Sequence, residues 1–354
     1  MLLFWRRNKM KYVIGNEKIF YDFVKSIKKD DKVAIISHND VDGVISPIVL
    51  EEILKRMNLS VDYFNFINYS KGMFDSEIDK MKEEGITKVF LTDMNADESD
   101  IDGFERLRED FDVFLIDHHP VSYELKNKDN IIKTGSSDCS AFTIYILGRE
   151  FFDLSELDWL VCSAMIADWS FNSEENLKFI LERYLDFDKD NIESSEIGRL
   201  MIKISNAIVY FKSNLKKVYD FIKEKNFNEL TKGAEMVQRE LERCIEKYKE
   251  EAEFNEEKGV YFAYFNSSFG LTSIIVTLMS KEDYDKVYFL ASDDRKNIKV
   301  SARCQSGRVD LNYVLRKSIE GFNEATAGGH KKASAALIMK KDLGKFKERL
   351  LEFI

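Results

Sequence analysis

The chain has 354 residues, with 53 Lys and Arg against 63 Asp and Glu, and its formal net charge is −10. Hydrophobic residues make up 44% of the chain, which excludes a mainly disordered protein, and the length predicts two or three domains. No run of about 20 apolar residues occurs, and the four cysteines form no CxxC pair. We therefore expect a cytoplasmic protein with reduced cysteines and no membrane partner.

The first half alternates short apolar runs with helical patterns. The runs predict strands over 33–37, 89–93 and 113–117, and helices are expected over 44–57 and 98–108. Strands separated by helices form a parallel sheet with right-handed crossovers. Ligands of such sheets bind at the carboxyl ends of the strands.

The second half begins with helical periodicity, from about residue 154 to 257, and strand signals return from about residue 258. The sequence thus predicts an α/β protein with an N-terminal parallel-sheet domain (1–170), a helical connector (171–257) and a smaller C-terminal α/β domain (258–354). Residues 291–354 carry 14 basic against 8 acidic side chains, a net +6 that leaves −16 on the rest. This asymmetry favours an anionic substrate bound by one domain and a metal held by the other.

The segment from His38 to Gly43 reads His-Asn-Asp-Val-Asp-Gly and follows the first predicted strand. If the extended geometry continues, His38, Asp40 and Asp42 point to one side, and Gly43 allows a tight turn into the helix. Two like charges about 4 Å apart cost roughly 4 kcal/mol at an effective dielectric constant near 20. A bound divalent cation would remove that cost.

The next two predicted strands end in similar residues. The second ends at Asp93, and the third ends in Asp117-His118-His119, which uses two of the four histidines. Asp168, at the end of an apolar helical stretch, is a further candidate. Asp93 alone could be a strand-end cap, but carboxylates and imidazoles together suit Mn²⁺ or Mg²⁺ rather than structural zinc.

These motifs, in this order, resemble those of the DHH phosphoesterases, and the first is similar to that of archaeal RecJ-like exonucleases. Gly328-Gly329-His330 resembles the glycine-rich motif of the family's associated C-terminal domain. The segment 300–303, which ends in Arg303, resembles an arginine-bearing strand of that domain. The resemblance covers residues 30–354 approximately, although the helical connector contributes little.

The resemblance implies a two-metal phosphodiesterase with its active site in the cleft between the domains. Asp93 would bridge two divalent ions, with Mn²⁺ expected and Mg²⁺ as the alternative. The remaining roles follow by motif position. Asp42, His118 and Asp168 would be ligands of one ion, and Asp40 with His38 would be ligands of the other. His119 would be catalytic, with Asp117 orienting an imidazole, and the substrate-binding residues would be Arg303, Gly328, Gly329 and His330. Many relatives carry Asn or Asp at position 38, so this chain departs from them there.

Several functions share these motifs. The leading interpretation is an exonuclease that degrades single-stranded DNA or RNA to mononucleotides. A hydrolase of short oligoribonucleotides, cyclic dinucleotides or phosphoadenosine nucleotides would use the same residues. A third interpretation is a replication scaffold similar to nuclease-dead relatives, with replication or repair proteins as partners; the intact carboxylates argue against that as its sole role. A soluble pyrophosphatase would share only the N-terminal motifs.

Overall fold

The computed structural model describes residues 10–122, 125 and 128–354. The chain divides into two compact units, the first ending at Glu235 and the second running from Met236 to Ile354. The strands are β1 (Tyr12–Ile14), β2 (Val33–Ser37), β3 (Tyr63–Phe66), β4 (Lys88–Thr92), β5 (Asp112–Asp117), β6 (Ile131–Thr134), β7 (Glu253–Asn255), β8 (Val260–Tyr264), β9 (Val287–Asp294), β10 (Asn297–Arg303), β11 (Thr326–His330) and β12 (Ala333–Met339). The helices are α1 (Glu17–Ser26), α2 (Val41–Arg56), α3 (Asp75–Glu84), α4 (Ala96–Ser99), α5 (Ile101–Asp110), α6 (Ser140–Arg149), α7 (Asp158–Ala167), α8 (Glu174–Leu181), α9 (Glu196–Tyr210), α10 (Lys216–Lys223), α11 (Phe227–Glu251), α12 (Thr272–Met279), α13 (Leu311–Ser318) and α14 (Leu343–Phe353).

The first unit contains a six-stranded sheet in the order β1-β6-β5-β4-β2-β3. β1 is antiparallel to β6, and the other neighbours are parallel. From β2 the chain goes to β3 on one side and then to β4 on the other, so the order of the strands reverses at β2. In open parallel sheets, such a switch point opens a crevice at the carboxyl ends of the strands.

The central strands are apolar in their interiors, on both faces, because helices cover both faces of the sheet. In β2, Val33 and Ile35 pack into one core, and Ala34 and Ile36 pack into the other. β4 and β5 alternate in the same way. The predicted parallel α/β architecture is confirmed, with these three strands at or within one residue of their predicted bounds.

Helix α2 differs from its predicted bounds. It begins at Val41, three residues early, so Pro47 lies inside the helix rather than in its first turn. Proline has no N–H to donate to the carbonyl four residues before it, which here belongs to Gly43. The Ser37 hydroxyl donates to that carbonyl at 2.6 Å instead, so the proline leaves no unsatisfied acceptor.

Helices also fill the stretch in which helical periodicity was predicted. On α9, Ile204 and Ile208 are buried in the core that lies under α2, and Leu200 packs at its margin. None of the helices in the described part of the chain combines the length and apolar character needed to cross a membrane.

The second unit is built on a six-stranded sheet in the order β11-β12-β10-β9-β8-β7. β8 and β9 are parallel, and the remaining neighbours are antiparallel. Its core contains Phe289 and Val300 from the sheet, Leu315 from α13 and Phe346 from α14. The sequence pattern predicts strands over 260–265, 287–291, 298–303 and 335–339 and helices over 271–280, 311–318 and 345–353, and all of these are present. β11 was not predicted, because its Gly-Gly pair lacks the apolar signal of a strand.

Candidate metal centre

The carboxyl ends of β2, β4 and β5 deliver acidic and imidazole side chains to one edge of the sheet. His38 and Asp40 follow β2, Asp93 follows β4, and Asp117 is the last residue of β5. His118 and His119 come next in the chain. Asp42 lies in the first turn of α2, and Asp168 follows the last residue of α7. The eight N-terminal residues predicted for the site therefore assemble at the switch point of the sheet.

The turn between β2 and α2 is tighter than the predicted extended geometry. Asp40 caps the helix, its carboxylate accepting the Gly43 N–H at 2.9 Å. A side chain at Gly43 would place its Cβ 2.2 Å from the His38 carbonyl oxygen, so only glycine fits. The three side chains therefore reach the site by a different route from strand alternation: His38 and Asp40 lie together, and Asp42 enters from the first turn of helix α2, which begins at Val41.

The side chains form two principal groups of ligand atoms that share Asp93. The Asp168 group contains Asp42, Asp93, His118 and Asp168, and the Asp40 group contains His38, Asp40 and Asp93; within each group the ligand atoms lie within 4.8 Å of one another. His118 Nε2 lies 3.3 Å from Asp93 Oδ1 and 3.2 Å from Asp168 Oδ2. His38 Nδ1 lies 2.9 Å from Asp40 Oδ2. Asp93, His118 and His119 form a third set.

Asp93 occupies the centre of this arrangement under unusual constraints. Its side chain is 1% exposed, and neither carboxylate oxygen has a hydrogen-bond partner among the described residues. Its backbone is left-handed, with φ of 56°, which strains a residue other than glycine. Buried carboxylate oxygens without partners are costly unless a cation satisfies them. The orphaned oxygens therefore fit a metal ion shared by both groups.

The electrostatics of the two groups agree with this interpretation. Burial, together with the charges of Asp40 and Asp42, raises the pKa of Asp93 far above its ordinary range. Burial and the charges of Asp42 and Asp93 raise the pKa of Asp168 to about 10. Burial and mutual repulsion thus disfavour the charged forms of both carboxyl groups, and a bound cation would relieve both effects. Their oxygens and imidazole nitrogens are the donor types that Mn²⁺ and Mg²⁺ accept.

The N-terminus of helix α6 orients Asp42, a contact that the sequence did not predict. Its two oxygens accept the backbone N–H groups of Ser140 at 2.7 Å and Ala141 at 2.9 Å. These are the first residues of α6, whose positive dipole end favours a carboxylate. Asp42 is fully buried, so these bonds fix the side chain that faces His118.

A buried chain of charges runs from Asp97 through Lys133 and Asp117 to His119. His119 Nδ1 lies 2.8 Å from Asp117 Oδ1, as expected for a carboxylate that fixes an imidazole tautomer. The fully buried Lys133, on β6, places its Nζ 3.0 Å from Asp117 Oδ2 and 2.6 Å from Asp97 Oδ1. Burial alone would raise the pKa of Asp117, but His119 and Lys133 lower it to about 2. The sequence pattern predicted a role for neither Lys133 nor Asp97; a lone lysine in the short apolar strand β6 was the available signal.

Tyr69, which follows β3, is a second residue that the sequence did not reveal. Its ring stacks on His38 with centroids 4.0 Å apart, and its hydroxyl donates to the Asp93 carbonyl oxygen at 2.8 Å. The same hydroxyl lies 3.4 Å from His119 Nε2. Tyr69 therefore contacts residues from all three strand ends and restrains both imidazoles.

Comparison with known families identifies two domains in this chain. The DHH family N-terminal domain matches residues 32–176, and the DHHA1 domain matches residues 257–354. The chain belongs to the DHH family. The expected DHH phosphoesterase with an associated C-terminal domain is thereby confirmed at the level of family and fold. No curated protein sequence matches the chain.

Solved structures share the fold of this chain at low identity. An exonuclease RecJ bound to manganese has a TM-score of 0.71 and 15% identity, covering 97% of this chain and 94% of its own. RecJ from Thermus thermophilus with Mn²⁺ has a TM-score of 0.67 and 14% identity over 95% of this chain, which spans 54% of that protein. CDC45 from Entamoeba histolytica has a TM-score of 0.55 and 11% identity, covering 95% of this chain and 98% of its own.

The DHHA1 domain holds the four predicted substrate-binding residues. Gly328, Gly329 and His330 lie on the edge strand β11, and His330 is exposed. Gly329 has φ of 139°, and a Cβ there would lie 2.6 Å from the Ala333 carbonyl oxygen, so the close pairing with β12 requires glycine. The Arg303 guanidinium donates to the hydroxyls of Ser273 and Thr277, at 2.7 and 3.0 Å. Burial lowers its pKa.

Proposed function

We propose that this DHH protein is a metal-dependent phosphodiesterase, and that it acts as an exonuclease releasing mononucleotides from single-stranded DNA or RNA. The observation that carries the proposal is Asp93, a buried carboxylate whose two unpartnered oxygens are shared by two groups of ligands. The supporting residues are acids and histidines, as the chemistry of divalent cations requires. The RecJ structures of similar fold contain Mn²⁺ or Mg²⁺.

The two groups would hold two divalent ions, with Asp93 shared between them. When bound, such ions activate a water molecule and stabilise the oxygens of a phosphodiester during its hydrolysis. The four carboxylates Asp40, Asp42, Asp93 and Asp168 carry −4 when ionised, which two divalent ions neutralise. A neutral site then accepts the negative phosphodiester without net repulsion.

In this proposal, His119 contacts the scissile phosphate. When its Nδ1–H donates to Asp117, the other nitrogen, Nε2, is presented on the opposite side of the ring. Contact with Asp117 raises the pKa of His119 even though burial opposes it. A protonated His119 can therefore donate a hydrogen bond to a phosphate oxygen, and Lys133 keeps Asp117 charged for this task.

The DHHA1 domain is proposed to bind the nucleic acid. Its basic segment suits an anionic strand, and the exposed His330 with the backbone of Gly328 offers donors to phosphate. A Cβ at Gly328 would meet no atom within 4 Å, so space is open at this position. We assign residues 1–170 to metal binding, 171–257 to the connector and 258–354 to substrate binding.

The experiment that tests the function uses the full chain with Mn²⁺ or Mg²⁺ and strands of DNA and RNA, 5′- or 3′-labelled, of several lengths. Stepwise loss of mononucleotides from long strands is expected for an exonuclease. Cleavage confined to strands of a few nucleotides would instead support a hydrolase of short substrates. Asp93→Asn should abolish either activity. Asp158→Asn is the matched control, because this carboxylate on α7 pairs with Arg183 outside both ligand groups and should leave activity intact.

Hydrolysis by Asp93→Asn at the wild-type rate would refute the proposed centre. A chain that binds strands but cleaves none of them with either metal would support a scaffold role instead.

A further inference from the structure

A cavity of about 240 Å³ adjoins the metal centre within the first unit. Asp40 and Asp168 contribute to its wall, so it touches both ligand groups. The rest of the wall is mainly apolar, with Val41, Ile166, Ala167, Ile192 and Met201, and is completed by Trp169 and Ser205. None of the described residues that line it is basic. An anionic group would find no countercharge there, whereas an uncharged, flat and largely apolar group would fit.

Trp169 is the distinctive member of this wall. It directly follows Asp168, and its side chain is 49% exposed. Its backbone is left-handed, with φ of 57°, a conformation that is strained for a bulky residue. Its ring lies 5.3 Å from that of Phe171, between centroids. Strained residues cluster at functional sites because the surrounding structure holds them in place, and an indole face beside a cavity is a platform for stacking.

We propose that this cavity, the Trp169 cavity, binds the nucleobase of the nucleotide whose phosphate lies at the metal centre. The inference rests on the proposed function. A base stacked on Trp169 would lie next to Asp40 and Asp168, and its sugar would lead directly to the ions. The Ser205 hydroxyl can donate to or accept from a polar edge of the base.

Stacking on one aromatic ring accepts every base, because each base has a flat π face. The Trp169 cavity therefore makes the enzyme depend on the presence of a base at the terminal nucleotide, without strong preference among bases. A terminal nucleotide that lacks its base should be a poor substrate. This distinguishes the cavity from the phosphate contacts, which sense only the backbone.

The binding test does not require hydrolysis. The chain contains three tryptophans, and dAMP or AMP added to the Mn²⁺-loaded full chain should quench the fluorescence of Trp169. Ribose 5-phosphate, which lacks the base, should not. Trp169→Phe should remove the quenching, and Trp159→Phe should keep it, because Trp159 packs against Phe227 away from the cavity wall. Equal quenching in Trp169→Phe and wild type, or equally tight binding of ribose 5-phosphate, would overturn the proposal.

The kinetic test compares kcat/KM for strands with intact and abasic terminal nucleotides, at either end. Wild type should prefer the intact strand by about tenfold or more, and Trp169→Ala should lose most of this preference. Ser205→Phe, which fills the cavity from α9 without altering Trp169, should lose it too. Equal rates on the two strands in wild type would overturn the proposed role of the Trp169 cavity but not the proposed function. A wild-type chain that cleaves no strand refutes the proposed function. The fluorescence titration then tests by itself whether the Trp169 cavity binds a nucleobase.

Discussion

Replacing Lys133 with methionine tests whether the buried charge chain supports both the fold and His119. The Lys133 side chain is 0% exposed, and its Nζ lies 2.6 Å from Asp97 and 3.0 Å from Asp117. At an effective dielectric constant near 20, each contact corresponds to about 5–6 kcal/mol of gross attraction. The cost of burying the ammonium group offsets much of this attraction. Removing one partner of a buried pair typically lowers stability by about 3–5 kcal/mol.

We therefore expect Lys133→Met to lower the free energy of unfolding by about 3–5 kcal/mol, measured by urea denaturation with circular dichroism at pH 7. Asp97→Asn added to Lys133→Met should recover part of the loss, since one uncompensated carboxylate is then removed. Lys133→Arg should retain more stability because it keeps the charge. Lys88→Met is the matched control: Lys88 pairs with Asp112, whose side chain is 45% exposed, and its loss should cost about 1 kcal/mol or less.

The same variant should impair catalysis beyond its effect on stability. Without Lys133 the pKa of Asp117 rises from about 2, and its hold on His119 weakens. At a temperature where the variant is fully folded, kcat should fall more than KM rises, and Lys133→Arg should restore part of kcat. A Lys133→Met protein within about 1 kcal/mol of wild type, with unchanged kcat, would refute the reasoning.

The remaining predictions concern the metal centre and the DHHA1 domain. Asp42→Ala and Asp93→Ala should abolish hydrolysis while circular dichroism shows a folded chain; turnover near the wild-type rate in Mn²⁺ would contradict the assignment. Mn²⁺ should raise Tm by relieving carboxylate repulsion, and a titration without a shift would count against the site. Contact with Asp40 and Asp93 raises the pKa of His38 to about 10 against the effect of burial, and that of Asp168 is also about 10. Between the ordinary and the raised pKa of each group, the folded chain therefore holds a proton that the unfolded chain has released. This range begins at about pH 4 for Asp168 and at about pH 6.5 for His38. Stability of the metal-free chain should thus fall as pH rises toward 10, so its Tm should be lower at pH 9 than at pH 6, and Mn²⁺ should reduce this difference. His330→Ala should raise KM for nucleic acid more than it lowers kcat; an unchanged KM with a reduced kcat would contradict a binding role.

Much of the architecture was readable from the sequence because its signals are local. Short apolar runs that end in polar residues predicted β2, β4 and β5, since strands buried on both faces are apolar throughout. The scarcity of histidine drew attention to His118 and His119, and parallel strands bring their carboxyl ends to one edge. These two facts sufficed to place Asp93, Asp117 and the histidines together without any knowledge of tertiary contacts.

Only the tertiary structure decided how these residues are held and what surrounds them. Strand alternation predicted the wrong path for Asp42, which is turned into helix α2 and fixed by the first N–H groups of α6, almost 100 residues later. Lys133 and Asp97 meet across 36 residues, and Trp169 borders a cavity formed partly by α9. Periodicity within an element reports which face is buried, but it carries no information about which distant group lies opposite. For that reason the sequence by itself determined the chemistry of this centre, and packing determined its orientation.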